Sequence, residues 1–121
     1  MGWGLDTFYA EWEDCAEACK AHVPVKGDRG FAGLPCNAFA YCAAPKCFEP
    51  DAYNGQHSRG NCWLKFTEGP GSPEINMRGR LPPDYKARHP DAPDVVQWVA
   101  GVVLPADVPM REGTFGPRWS W

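Results

Sequence analysis

Six cysteines in a chain of 121 residues constrain the fold more than any other feature. Cys15 and Cys19 lie in the run 11–22, whose apolar residues recur at helical spacing, so both fall on one face of a predicted helix. Cys36 and Cys62 each open a short apolar or aromatic run that is typical of a β-strand. The sequence therefore predicts one helix pinned to two strands.

The cysteine count also indicates a cellular compartment. Six is an even number, and the 13 Gly and 13 Pro residues make the chain rich in loops. Small domains of this kind are stabilised by disulfides in oxidising compartments, which predicts a secreted, cell-surface or lumenal protein. Zinc is the alternative, because the pairs Cys15/Cys19 and Cys42/Cys47 loosely match the spacing of metal ligands. Titration of free thiols distinguishes the two.

Charge and hydropathy argue against nucleic-acid binding and against a transmembrane helix. The formal net charge of −3 argues against a nucleic-acid-binding protein, because that class depends on basic surfaces. No apolar run approaches the roughly 18 residues that a transmembrane helix requires. No signal peptide opens the chain, so we expect either that a leader has been removed or that the chain belongs to a larger protein.

Four runs are predicted to form strands: residues 3–9, 36–42, 62–66 and 95–103. The last run is the most hydrophobic in the chain, which predicts a strand buried on both faces or central in its sheet. The expected fold is α+β, with one helix packed across a four- or five-stranded antiparallel sheet. A long connection, residues 68–94, carries many prolines and no predicted secondary structure.

The domain is expected to span residues 1–103. Residues 104–121 then form a proline-rich tail or linker without hydrophobic periodicity. This tail ends in Trp119-Ser120-Trp121, and its two tryptophans are candidate partner-docking residues.

Aromatic residues of the two cysteine-led strands form the first candidate site. If Cys36 bonds the helix it must face it, so alternation places Phe39 and Tyr41 on the opposite face, together with Trp63 of the other strand. Three aromatic rings on one face form a platform for sugar rings or for a partner's apolar side chains. The alternative is that the 68–94 connection or the tail covers them as a second small core.

Basic residues of the long connection form the second candidate site: Arg78, Arg80, Lys86 and Arg88. Such cations bind carboxylates, sulfates or phosphates on an acidic glycan or protein. The alternative is a solvated loop whose charges balance the acidic helix. No histidine lies beside a nucleophile motif, and no calcium loop or glycosidase carboxylate pair is present, so no enzyme activity, metal or cofactor is predicted.

The order Cys-x-x-x-Cys, Cys-x-x-Phe-x-Tyr and Cys-x-Leu-Lys, followed by the hydrophobic run 96–103 with Trp and Gly, resembles the PAN/apple family across residues 3–103. The resemblance implies an extracellular, non-catalytic module that binds proteins or carbohydrates, built as a small antiparallel sheet crossed by one helix. It also implies the nested pairing Cys15–Cys62 and Cys19–Cys36, which leaves Cys42–Cys47 to close a local loop. Nothing flanks the pattern to join the two ends, so the chain resembles the shorter PAN type.

Two functions are consistent with this pattern. The first is recognition of a protein or a carbohydrate, as the family resemblance implies. The second is a structural or accessory subunit that docks into a larger assembly through its long connection and its tail. A fold-level likeness is by itself a weak reason to assign either of them.

Overall fold

The computed structural model describes residues 4–48, 56–72, 74–76, 80–111 and 113–115. Three residues of the candidate sites, Arg78, Trp119 and Trp121, lie outside these ranges. In chain order the described α-helices and β-strands are β1 (Leu5–Phe8), α1 (Trp12–Ala21), β2 (Ala38–Cys42), β3 (Lys46–Phe48), β4 (Gln56–Ser58), β5 (Asn61–Lys65), β6 (Glu74–Asn76), α2 (Pro83–Arg88), β7 (Trp98–Val102) and β8 (Gly113–Phe115), and a short 3-10 helix spans Phe31–Gly33.

One antiparallel sheet organises the protein. Its strand order is β1-β5-β2-β7, and every neighbouring pair is antiparallel. Helix α1 packs on this sheet, against β2 and β5. The predicted α+β class, with a helix across four antiparallel strands, is confirmed. Among the described residues no helix has the length and apolarity that crossing a bilayer requires.

All six cysteines are paired, as Cys15–Cys62, Cys19–Cys36 and Cys42–Cys47. The first two bridges fasten one face of α1 to β5 and to the segment before β2. The third closes a six-residue loop between β2 and β3. Because every cysteine sulfur is covalently bonded to another, the zinc alternative is excluded for these residues.

The face predicted for Phe39 and Tyr41 is wrong. Both rings lie under α1, in one buried cluster with Leu64 and with the cystines of the helix. Phe39 stacks on Trp12 of the helix, with ring centroids 6.4 Å apart and an angle of 7° between the planes. The hydroxyl of Tyr41 donates to the carbonyl oxygens of Tyr9 (3.0 Å) and Ala10 (2.8 Å) where the chain enters the helix.

The error arises because β2 begins at Ala38, two residues after the cysteine used to set the alternation. Cys36 and Asn37 lie outside the pleated strand, so the position of Cys36 does not set the face of the residues that follow. Asn37 is held by a reciprocal pair of bonds, in which its Nδ2 donates to the Thr67 carbonyl (2.9 Å) and its Oδ1 accepts from the Thr67 amide (2.8 Å). A non-repeating segment of this kind resets the period-two pattern.

The position predicted for the most hydrophobic run is also wrong. Among the described strands, β7 pairs only with β2, so it lies at an edge of the four-stranded sheet and not at its centre. Just before β7, Val95 forms an isolated antiparallel bridge with Arg80. Val95 and Val96, which precede it, are exposed, and so is Ala100 in the strand itself. The hydrophobic run therefore leaves part of its apolar surface uncovered by the described residues.

The connection 68–94 is more ordered than expected. It contains β6, which pairs in parallel with β8, and the short helix α2, whose Tyr85 is buried. Proline at the first position of α2 suits a helix start, because that position has no intrahelical partner for an N–H group. The backbone amide of Arg111 also donates to the Gly71 carbonyl (2.7 Å), which ties the segment after β7 to this connection.

Candidate functional site

The face of the sheet opposite α1, here called the far face, carries the first group of candidate residues. Strand neighbours in register share a face, so Trp63 lies there with Asp6 of β1 and Ala40 of β2, its two partners across the strands. Trp63 is half-buried, whereas Asp6 is exposed. Of the three aromatic residues predicted for this face, the structure places Trp63 there and buries Phe39 and Tyr41 on the other side.

A chain of polar contacts fixes the Trp63 indole. Its Nε1–H donates to the Oδ1 atom of Asn61 (2.7 Å), a residue only 1 % exposed. The amide nitrogen of Asn61 donates in turn to the Asp6 carboxylate and to the Thr7 carbonyl. The Lys65 ammonium lies over the Trp63 ring, 5.8 Å from the ring centroid. An oriented indole, a cation and an exposed carboxylate therefore meet on the far face.

A second layer covers part of this face. The hairpin of β3 and β4 is tied to the sheet by Cys42–Cys47, and its His57 ring makes edge contacts with both Trp63 (5.8 Å) and Trp98 (5.3 Å). The indole nitrogen of Trp98 donates to the Phe48 carbonyl (3.0 Å). The alternative interpretation of the aromatic face is a cover formed by the 68–94 connection or the tail. The ring in contact with Trp63 and Trp98 belongs instead to the β3–β4 hairpin, a segment that this interpretation does not name.

The basic residues of the connection are dispersed around α2. Lys86 forms an ion pair with Asp94, and Arg80 and Arg88 are exposed. The hydrogen bond and charge of Lys86 lower the pKa of the Asp94 carboxyl below its usual value. Residues 80–94 contain three Lys or Arg residues and three Asp residues, so their formal charges cancel. That balance disfavours this segment as a site for polyanions.

The buried tyrosine has a perturbed acid–base equilibrium. Burial, with a smaller contribution from the negative charge of Glu11, raises the pKa of the Tyr41 hydroxyl above its usual value. The group is therefore held neutral, as a donor to the two carbonyls at the start of α1. Tyr41 is part of the buried core, where a ligand cannot contact it.

Comparison with known proteins yields no relative. No family model, no curated protein and no solved structure matches this chain. Its function must therefore be argued from its own surfaces.

The edge of β7 is the surface that sequence reasoning missed. Along the outer side of this strand, the described residues supply no pairing strand. From Val95 to Ala106 no side chain is charged, whereas the opposite edge, β1, carries Asp6. Natural sheets usually protect such edges with charged residues, prolines or bulges, and an unprotected apolar edge pairs readily with another chain. The sequence signal for this edge is the long uncharged run, which the hydrophobicity alone places in the interior of the sheet.

Free thiols and clusters of metal-binding side chains are absent from the described residues. All six cysteine sulfur atoms are in disulfides, so the chain has no cysteine thiolate. Within the described ranges, no group of three or more His, Cys, Asp or Glu side chains is placed to hold a metal ion.

Proposed function

We propose that this chain is a non-catalytic recognition domain of the PAN/apple type, in an extracellular or lumenal protein, and that it binds a protein partner by strand addition at the outer edge of β7. The nested bridges from α1 support the family assignment. Three disulfides are typical of proteins in oxidising compartments, which supports the location.

The open edge of β7 carries the proposal. In strand addition, main-chain hydrogen bonds provide affinity and the alternating side chains of the edge strand provide specificity. Among the described residues, no strand pairs with the outward backbone groups of β7. These groups lie next to the half-buried apolar side chains of Trp98 and Val102, with no charge to repel an extended apolar segment. A protein segment satisfies this edge better than a sugar does.

Replacing Ala100 with proline tests the proposal. Proline is tolerated in edge strands where the N–H group points away from the sheet, so Ala100→Pro removes an outward donor while the fold remains. Proteins retained by the immobilised wild-type domain are identified, and the binding of each purified candidate is then measured. We expect binding to weaken about tenfold or more with Ala100→Pro, and the amides of Trp98, Ala100 and Val102 to gain protection from hydrogen exchange in the complex.

The matched control is Phe8→Pro at the other edge of the sheet, on a residue that is 62 % exposed. Circular dichroism establishes that each variant is folded. Equal binding by the wild type and by folded Ala100→Pro refutes the proposal, as does protection of amides elsewhere with none on β7.

A glycan is the second candidate ligand, favoured by the oriented Trp63 ring beside Lys65 and Asp6. Sugar rings stack on aromatic faces, and carboxylates accept hydrogen bonds from sugar hydroxyls. On a glycan array, Trp63→Ala should abolish any signal that Trp12→Ala retains, because Trp12 is a partly exposed tryptophan on the helix side. A signal unaffected by Trp63→Ala rules out this site.

Docking as a structural subunit through the connection and the tail is the remaining alternative. Trp119 and Trp121 are its candidate residues and lie outside the described ranges. Deleting 116–121 and measuring retention of the same partners separates this mode from binding at β7, since only the tail mode is lost.

A further inference from the structure

The backbone of β7 has a defined inner and outer side. The amide of Val103 donates to the Asn37 carbonyl (2.9 Å), and the amide of Ala43 donates to the Gln97 carbonyl (3.4 Å). Odd-numbered residues of this strand therefore bond to β2, and in an antiparallel ladder the alternate residues direct their N–H and C=O groups away from it. These outward groups belong to Trp98, Ala100 and Val102.

The outward N–H and C=O groups of Trp98 and Val102 lie at equal distances along the strand on either side of those of Ala100. If a second strand of the same sequence runs antiparallel beside β7, with Ala100 facing its own copy, Trp98 faces Val102 of the other copy at both ends. The pairing satisfies about six main-chain hydrogen bonds, two for each of the three residue pairs. An aromatic residue opposite a β-branched one is a favourable cross-strand pair.

Side-chain size and charge also match in this register. Ala100, the residue at the symmetry axis, is small and exposed, so two copies approach without a clash. On the helix side, Val99 faces Gly101 of the other copy, which places a larger side chain beside one with no Cβ. Because no charge occurs from Val95 to Ala106, the two-fold arrangement juxtaposes no like charges along the strand.

We propose that the partner of the β7 edge is a second copy of this chain, bound antiparallel about a two-fold axis at Ala100, so that two four-stranded sheets form one continuous sheet. The pairing rests on the proposed function of β7 and names its partner. The contact is a single strand edge, which buries less than the ~800 Å² per partner of a standard stable interface. The dimer is therefore weak and reversible, with a dissociation constant in the micromolar range.

Cross-linking tests the register. In a hydrogen-bonded antiparallel pair, opposed Cα atoms lie about 5.5 Å apart, and disulfides form at Cα separations of roughly 4.4–6.8 Å. Ala100→Cys should therefore yield a disulfide-linked dimer under mild oxidation that leaves the three native bridges intact. The matched control is Phe8→Cys, an exposed cysteine on the opposite edge strand, which should yield several-fold less.

Sedimentation equilibrium on the uncrosslinked protein tests the affinity. Wild-type protein should shift from monomer to dimer as its concentration rises through the micromolar range. Ala100→Lys places two ammonium groups at the axis and should raise the dissociation constant about tenfold or more. Phe8→Lys adds the same charge at the other edge and should leave the constant unchanged.

Different results separate the two proposals. A wild-type chain that stays monomeric to millimolar concentration, with Ala100→Cys cross-linking no better than Phe8→Cys, overturns the homotypic pairing. If Ala100→Pro still weakens binding of another protein in that case, the proposed function of the β7 edge stands. A dimer that Ala100→Lys and Phe8→Lys weaken equally also overturns the pairing, because the contact then lies elsewhere.

Discussion

Replacing Phe39 with alanine tests whether its ring belongs to the core under α1. The ring is 5 % exposed and stacks on Trp12, and a Cβ atom added at Gly101 would lie 2.7 Å from its Cζ atom, so it fills the space that this glycine leaves. Phe-to-Ala changes at such sites cost about 3–5 kcal/mol. We expect about 4 kcal/mol for Phe39→Ala, a large part of the roughly 5–15 kcal/mol by which domains are stable.

The loss is measured by urea unfolding followed by circular dichroism, with the disulfides intact. The unfolding entropy of a domain this size is about 0.25 kcal/mol/K, so the melting temperature should fall by roughly 15 °C. Phe8→Ala is the matched control, because the same change at a side chain that is 62 % exposed should cost less than about 1 kcal/mol. A Phe39→Ala variant no less stable than Phe8→Ala refutes the placement of this ring.

A double-mutant cycle measures the stacking itself. Trp12→Ala, Phe39→Ala and the double variant should show a coupling of about 0.5–1.5 kcal/mol, the usual value for an aromatic pair. Additive losses would mean that the two rings do not interact in solution.

The disulfides and Tyr41 give two more predictions. Replacing both cysteines of Cys15–Cys62, which are 47 positions apart, should lower the free energy of unfolding in urea by about 4 kcal/mol. The same change at Cys42–Cys47, whose cysteines are 5 positions apart, should lower it by about 2 kcal/mol, because a bridge that closes a longer loop restrains the unfolded chain more. Equal losses contradict this order. Because the pKa of Tyr41 is raised by folding, the unfolded chain loses this proton near pH 10 while the folded chain keeps it. The contribution of Tyr41 to stability is therefore complete below pH 10 and is lost as pH rises through the folded pKa. Tyr41→Phe should flatten this alkaline decline in melting temperature, and an unchanged decline would assign it to other groups.

Patterns among residues close in sequence predicted the helix and the cysteines on its face. Cys15 and Cys19 lie on one helical face because the helical period leaves residues four apart adjacent, and the bridges to Cys62 and Cys36 follow that face. The helical spacing of apolar residues over 11–22 gave the approximate limits of α1, which spans Trp12–Ala21. These features depend on residues close in sequence, so they are readable without the fold.

Strand faces and strand order were decided by tertiary structure. The predicted alternation in β2 starts from Cys36, but Cys36 and Asn37 lie outside the strand and reset the pattern. The packing of Phe39 and Tyr41 under α1 shows which face is buried. For Trp63 the alternation was correct, because Cys62 lies within its own strand.

Hydrophobicity along the chain could not place β7. A run of apolar residues indicates that burying the side chains of a strand is favourable. It does not indicate whether the same domain or another chain buries them. That depends on how many strands the domain supplies beyond β7, and the described residues supply none. The sequence by itself therefore determined the helix, the cross-linked framework and the existence of a hydrophobic strand. Tertiary structure decided its position at the edge, because strand order arises from long-range pairing that no local period encodes.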